Sequence, residues 1–374
     1  MKKINFIMIM FLFIMSFILV SCIPQQPDDG LTDEERTALK NDKIKPEIII
    51  EEGYEIIQFE LGEDYDFLLG VKGIDNLQGD ITKKISVDKA DFISGKPGIY
   101  DIYYWLADYA GNNADVVIRP IKILDRANVK MLAHRGHSTK ELENTLDAFL
   151  MAAQSDFGGI ETDVRMTKDG KIFISHEDSI YNMSGLTGII SQMTKAELMA
   201  LTFTSSRFNN KEYRFCEFRE YLQICKQYDK MAVIDIKGTF TNSNLKLLVD
   251  TIIEEEMFDK TLFISFDMVH LNYIKQNYDK ANLQFIIGLS NNVNEFNQLI
   301  NLCLEKRYSL DCAFTNQYLT GEVIDKFLKV GLEVNVWTID NPEVLKKFVN
   351  MGAAYITSNK IEKVIPLEEL NLNE

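Results

Sequence analysis

The chain has 374 residues, of which 46% are hydrophobic, and its 56 acidic side chains against 40 basic ones give a formal net charge of −16. That length exceeds one ordinary domain and suggests two, with ample apolar material for packed cores. The charge argues against a nucleic-acid binder, which must neutralise phosphates, so any anionic substrate has to be met by positive charge concentrated locally.

Lys2 and Lys3 precede an apolar run from Phe6 to Val20 and the tetrad Leu19, Val20, Ser21, Cys22, which resembles a bacterial lipobox. The run is short for a bilayer core of roughly 30 Å. Residues 1–21 therefore read as a lipoprotein signal peptide, with Cys22 as the lipidated first residue of a chain held extracytoplasmically at the cell membrane. Residues 22–45 carry prolines, acids and few large apolar groups, a composition that reads as a flexible tether. Within it, residues 32–40 admit a short helix with Thr32 and Glu35 as a capping box.

Residues 46–125 alternate apolar and polar positions with period two, in runs such as YEIIQFEL, GIYDIYYWLAD and ADVVIRPIKIL broken by Gly, Asp and Asn turns. This predicts a small antiparallel β-sandwich. The Gly-x-Tyr strand and the Asp-x-x-Gly-Asn turn resemble bacterial immunoglobulin-like cell-surface domains. Tyr103, Tyr104 and Trp105 read as core and cross-strand packing rather than a carbohydrate platform.

Residues 129–366 alternate strand-like runs with helical stretches of period near 3.6, which favours an α/β fold of the (β/α)8 TIM-barrel type. There are nine candidate strands for eight staves. The tight MTKDG connection implies that one of GIETDV and KIFISH departs from the parallel arrangement. In such a barrel the chemistry sits at the C-terminal ends of the strands. His134, Glu161, Asp163, His176, Asp235, Lys237 and Trp337 all fall there.

Residues 131–145 read MLAHRGHSTKELENT, and residues 159–178 read GIETDVRMTKDGKIFISHED. A strand brings residues i and i+2 to one face, so Glu161 and Asp163 converge while Thr162 points away. Two carboxylates so close repel unless a cation lies between them. The order HRG, LENT, ExD, TxDG turn and second histidine resembles the glycerophosphodiester phosphodiesterase family, across residues 130–360.

That resemblance implies metal-dependent hydrolysis of a glycerophosphodiester to glycerol 3-phosphate and an alcohol, with His134 and His176 in the family's catalytic positions as general acid and base in unassigned order. It implies a third metal carboxylate at Asp235, and that ligand role is preferred over a plain salt bridge from Asp235 to Lys237. Three carboxylates without a cysteine or histidine cluster favour a hard divalent cation, Mg2+ or Ca2+, over zinc. Arg135 and Lys237 are expected to meet the phosphate, and Trp337 to line the glycerol pocket or cover the barrel mouth. Glu143 and Asn144 are expected to cap the following helix and orient the metal ligands. Leu142, Glu177, Asp235 and the TSNK run at 357–360 depart from the family pattern without removing a catalytic side chain, and TSNK is expected to bear on substrate preference.

His137 and His270 read as hydrogen-bonded or exposed bystanders. Cys216, Cys225, Cys303 and Cys312 match no zinc spacing and read as buried free thiols. The expected partners are a small glycerophosphodiester and, through the lipid anchor, a membrane, with cell-wall contact assigned to the immunoglobulin-like module and no nucleic acid. Two other readings stay open at this point: a related barrel phosphodiesterase acting on teichoic-acid-like polymers or phospholipid head groups, and a non-catalytic surface binding protein.

Overall fold

The computed structural model of the chain describes residues 30–89 and 91–369, so the leader at 1–21 and Cys22 lie outside the described residues. Among the described residues no helix is long and apolar enough to cross a membrane. The first element is the helix α1 (Asp33–Lys40), and it starts as its sequence predicts. The Thr32 hydroxyl accepts from the Glu35 amide, and the Glu35 carboxylate accepts from the Thr32 amide at 2.7 Å. Two orphan donors of the first turn are thereby satisfied.

Seven strands follow: β1 (Glu47–Ile50), β2 (Ile57–Glu60), β3 (Val71–Asp75), β4 (Gly79–Asp80), β5 (Ser86–Asp88), β6 (Gly98–Trp105) and β7 (Val117–Leu124). They form a three-stranded sheet in the order β1-β3-β4 and a four-stranded sheet in the order β2-β7-β6-β5. The sandwich is mixed rather than purely antiparallel, because β2 runs parallel to β7. The chain leaves one sheet after β1 and joins the other beside its last strand, a crossover that period-two patterning does not encode. Along β6, Tyr100, Ile102 and Tyr104 point inward and Trp105 outward. Tyr104 is fully covered and shares its hydroxyl with the buried Arg119 guanidinium, which also donates to the carbonyls of Phe67 and Leu69.

The second domain contains β8 (Lys130–Ala133), β9 (Gly159–Met166), β10 (Ile172–Ile174), β11 (Thr202–Ser205), β12 (Lys211–Arg214), β13 (Met231–Ile236), β14 (Thr261–Ser265), β15 (Asn282–Ile287), β16 (Ser309–Ala313), β17 (Val334–Trp337) and β18 (Tyr355–Ser358). Eight of them, β8, β9, β13, β14, β15, β16, β17 and β18, pair in parallel, and the β8–β9 ladder closes the ring. The surplus ninth strand is KIFISH: β10 folds back antiparallel on the end of β9, pairing Ile172 with Met166 and Ile174 with Val164. The β11–β12 hairpin belongs to an insertion with its own core of Leu142, Phe173, Ile180, Leu198, Phe203 and Phe215. Leu142, which stands where the family pattern has proline, is part of that core.

The sandwich docks on the end of the barrel where the strands begin. Lys122 reaches Asp325 Oδ1 at 2.6 Å and the Met351 carbonyl at 2.8 Å, Arg126 pairs with Glu60 and donates to Asn350 Oδ1 at 2.8 Å, and Leu124 enters the barrel's outer core. Cys216, Cys225, Cys303 and Cys312 are free and buried, as expected of them. At Gly352 the backbone is left-handed, with φ +101°, and an added Cβ would lie 2.8 Å from Leu328 Cδ1 and 2.9 Å from Leu124 Cδ2. Gly352→Ala is therefore expected to lower unfolding stability by about 2 kcal/mol through backbone strain and overpacking, measured by denaturant titration.

Candidate active site

Two neighbouring barrel strands, β9 and β13, carry three acids at the same mouth. The β9–β13 register sets Glu161 beside Val233 and Asp163 beside Asp235. With period-two alternation, Glu161, Asp163 and Asp235 all face the barrel interior. All three are buried, and one oxygen from each lies within 4.8 Å of the others. That is the span across one cation with oxygen ligands at about 2.4 Å.

The segment HRG supplies the next layer through its backbone. Arg135 and Gly136 both take positive φ, at 58° and 78°, and a Cβ on Gly136 would lie 2.7 Å from the Ala148 carbonyl carbon of the helix α2 (Leu146–Ala153). Only glycine fits that close approach. The turn aims the Arg135 amide at Glu161 Oε2, 2.7 Å away, and its guanidinium at Glu143 Oε1, 2.9 Å, and Asp163 Oδ2, 3.4 Å. Helix α2 is capped by Thr145, not by Glu143 or Asn144. Asn144, left-handed at φ 57°, instead donates to Asp163 Oδ2 at 2.9 Å and accepts from Thr162 at 3.0 Å. It therefore orients Asp163, as its sequence position suggested, while the cap belongs to its neighbour.

Lys237 forms the salt bridge anticipated with Asp235, at 2.5 Å on Oδ2, and lies 3.5 Å from Asp163 Oδ1. The other oxygen, Asp235 Oδ1, is buried and has no hydrogen-bond partner. The salt-bridge and ligand readings of Asp235 are thus compatible, one per oxygen. Burial and the Asp163 and Asp235 charges push the Glu161 carboxyl well above the usual range. Burial pushes Asp235 up to about 7 against the pull of Lys237. At Asp163 burial is outweighed by Arg135 and Lys237, which hold its carboxyl below the usual range. Three buried acids against two bases, with one oxygen unpaired, is a donor set that fits a hard divalent cation.

Both histidines line the same cavity of about 90 Å³ as these acids and bases, together with Phe266, Asp311 and Trp337. His134 Nδ1 meets Asn359 Oδ1 at 2.8 Å, and Asn359 is fixed in turn by its amide on Asp340 Oδ2 at 2.6 Å. The final TSNK strand thus bears directly on a histidine. Burial and the Arg135 charge bring His134 down to about 4. His176 follows β10, with Nδ1 2.8 Å from Glu177 Oε1 and its carbonyl gripped by Arg165. Burial lowers His176 below its ordinary value, although Asp163 pulls the other way. A larger cavity of about 740 Å³ at the opposite end of the barrel contains no histidine.

His137 and His270 stand apart, buried against Glu362 and Ser265. Sequence reasoning did not single out Asp311, buried on β16 with Oδ1 unpartnered and its carboxyl pushed far up by burial, or Asn359 and Asp340 behind His134. Phe266 was missed as well. It is half exposed just past β14, edge-on to Trp337 at 6.3 Å and beneath the Lys237 ammonium at 5.1 Å. The signals available were a carboxylate inside the apolar run SLDCA and an aromatic immediately after a strand end.

Comparison with known proteins agrees with this architecture. Residues 50–123 match the bacterial surface protein Ig-like domain, and residues 134–363 match the glycerophosphoryl diester phosphodiesterase family. A glycerophosphodiester phosphodiesterase of Caldanaerobacter subterraneus is 26% identical over 243 residues, covering 63% of this chain and 96% of that protein. Among solved structures, the glycerophosphodiester phosphodiesterase of Thermotoga maritima matches with a TM-score of 0.51 and 26% identity, over 63% of this chain and 96% of its own. A phosphodiesterase of Oleispira antarctica, solved with the product sn-glycerol-3-phosphate, shares the fold with a TM-score of 0.56 and 20% identity, over 63% and 94% of the two chains. With the family's pattern spanning more than half of its length, and with the closed parallel barrel and acidic mouth described above, the chain belongs to the glycerophosphoryl diester phosphodiesterase family.

Proposed function

We propose that the chain hydrolyses a glycerophosphodiester to glycerol 3-phosphate and an alcohol, using a divalent cation and a histidine pair. The observation that carries this is the convergence of Glu161, Asp163 and Asp235 within one cation's span, in a cavity shared with His134, His176, Arg135 and Lys237. Glu161, Asp163 and Asp235 would hold the ion, Mg2+ or Ca2+. When bound it supplies Lewis-acid stabilisation of the charge that grows on the phosphoryl oxygens. Arg135 and Lys237 add positive charge for the same oxygens, which a chain of net charge −16 needs locally.

The hydrogen-bond networks support an order for the proton transfers. Because the Asn359 amide donates to Asp340, its Oδ1 is left to accept from His134 Nδ1–H. In the neutral ring the lone pair then sits on Nε2, where His134 takes the proton of the attacking oxygen as general base. At His176 the Asp163 and Glu177 carboxylates pull against the burial that lowers the ring, which makes it the better placed of the two to carry a proton, so His176 gives its Nε2 proton to the leaving oxygen as the phosphorus–oxygen bond to the alcohol breaks. Trp337 and Phe266 would pack the carbon side of the substrate.

The same reading treats residues 1–21 as leader, 22–45 as tether, 46–125 as surface sandwich and 129–366 as catalytic barrel, lipid-anchored outside the cytoplasmic membrane through Cys22. The surface-type immunoglobulin-like match and the lipobox resemblance support it.

Release of glycerol 3-phosphate from glycerophosphocholine should be abolished by chelator and restored by Mg2+ or Ca2+. His134→Ala and His176→Ala should each lose about 10²- to 10⁴-fold in kcat, and chelator-insensitive turnover would remove the cation from the scheme. Glu177→Gln takes a carboxylate from His176 and so lowers its pKa; the alkaline limb of the rate profile should move to lower pH, and an unmoved limb would contradict the assignment of His176 as acid. Glu161 and Asp235, with carboxyls raised in the folded state, stabilise the cation-free protein at low pH, and that contribution is lost as pH rises through about 7 at Asp235. A bound cation displaces those protons, so the rise in Tm on adding cation should be larger at pH 8 than at pH 5, and Asp235→Asn should flatten the difference.

A further inference from the structure

We propose that Asp42, Asp75 and Asp108 form a second cation site, for calcium, which fastens the segment carrying α1 to the immunoglobulin-like sandwich. The three carboxylates are separated in sequence but meet in space, each offering an oxygen within 4.8 Å of the other two, and they are 8%, 4% and 9% exposed. Among the described residues no lysine or arginine forms an ion pair with any of them. Asp75 Oδ2 is buried without a hydrogen-bond partner.

One oxygen of each acid is occupied by its own turn. Asp42 Oδ1 accepts from the Ile44 amide at 2.9 Å, Asp75 Oδ1 from the amides of Leu77 and Gln78 at 3.1 and 2.8 Å, and Asp108 Oδ1 from the Asn112 amide at 2.8 Å. Asn112 also donates its side-chain amide to Asp108 Oδ2 at 2.6 Å and to the Asp42 carbonyl at 3.1 Å, which ties the Asp-x-x-Gly-Asn turn to the segment leaving α1. Three carboxylates with oxygens within 4.8 Å of one another repel, and Asp75 Oδ2 has no other partner, so a positive ion is what the arrangement lacks.

The donors are oxygens alone, drawn from two loops and the end of β3 rather than from one rigid element. That suits Ca2+, which takes six to eight oxygens in flexible geometry, better than Mg2+, which demands a near-ideal octahedron. Carbonyls and water would complete the shell. The site is separate from the barrel mouth and does not depend on the hydrolase reading.

The test is limited trypsin digestion of the detergent-solubilised full chain, followed by the appearance of cuts after the exposed Lys40 and Lys43, which flank Asp42. Calcium at about ten times its Kd should slow those cuts about tenfold relative to chelator. Asp75→Asn keeps the acceptor for Leu77 and Gln78 but loses the charge; it should abolish the protection while leaving hydrolase turnover at saturating Mg2+ unchanged. Asp42→Asn should do the same, which guards against a folding defect peculiar to one variant. Equal cleavage of the native chain in calcium and chelator, or protection that survives both substitutions, would overturn the site, and equal protection by Mg2+ would overturn its assignment to calcium.

Discussion

Three carboxylates packed inside a barrel mouth are tolerable only if positive charge is held against them, and much of the local structure around the site serves that balance. Arg135 and Lys237 lie within 3.5 Å of Asp163, which is why that acid alone of the three stays below its usual range. Glu161 and Asp235 are left with raised carboxyls. The left-handed turn at Arg135 and Gly136, the close approach to helix α2 and the unusual backbone of Asn144 all exist to aim donors at these acids. In a low-dielectric pocket, each such donor acts on charge far more strongly than it would in water.

The two histidines reach the cavity from different bodies of structure. His134 ends a barrel stave and is braced from the neighbouring stave by Asn359, just past β18, which Asp340 holds in turn from the segment after β17. His176 sits beyond an antiparallel strand that is not a stave, next to an insertion with its own apolar core. Burial lowers both imidazoles: at His134 the Arg135 guanidinium adds to it, whereas at His176 the Asp163 and Glu177 carboxylates pull the other way.

How far the sequence foretold this depends on the range of the interaction. The capping box of α1, the strand periods, the i and i+2 pairing of Glu161 with Asp163 and the HRG segment are local, and each is readable in a window of a few residues. The clustering of Asp235 with the pair on β9 followed once a barrel was assumed, because strand ends share one mouth. What stayed hidden is set by pairing between distant segments: the parallel β2–β7 ladder, the identity of the surplus strand, and the contact of Asn359 with His134 across 225 positions. Asp311 and Phe266 gave only a residue type in an odd place. Capping of α2 was assigned to the wrong residue because Asn144, a good cap by type, is spent on Asp163.

The sandwich grips the barrel where the strands begin, through Leu124, Lys122 and Gly352, whereas the chemistry lies where they end. Among the described residues, none of the sandwich lines the cavity that holds the acids and the histidines. A long chain caught by the sandwich would have to bend around the whole barrel before its backbone reached the acids.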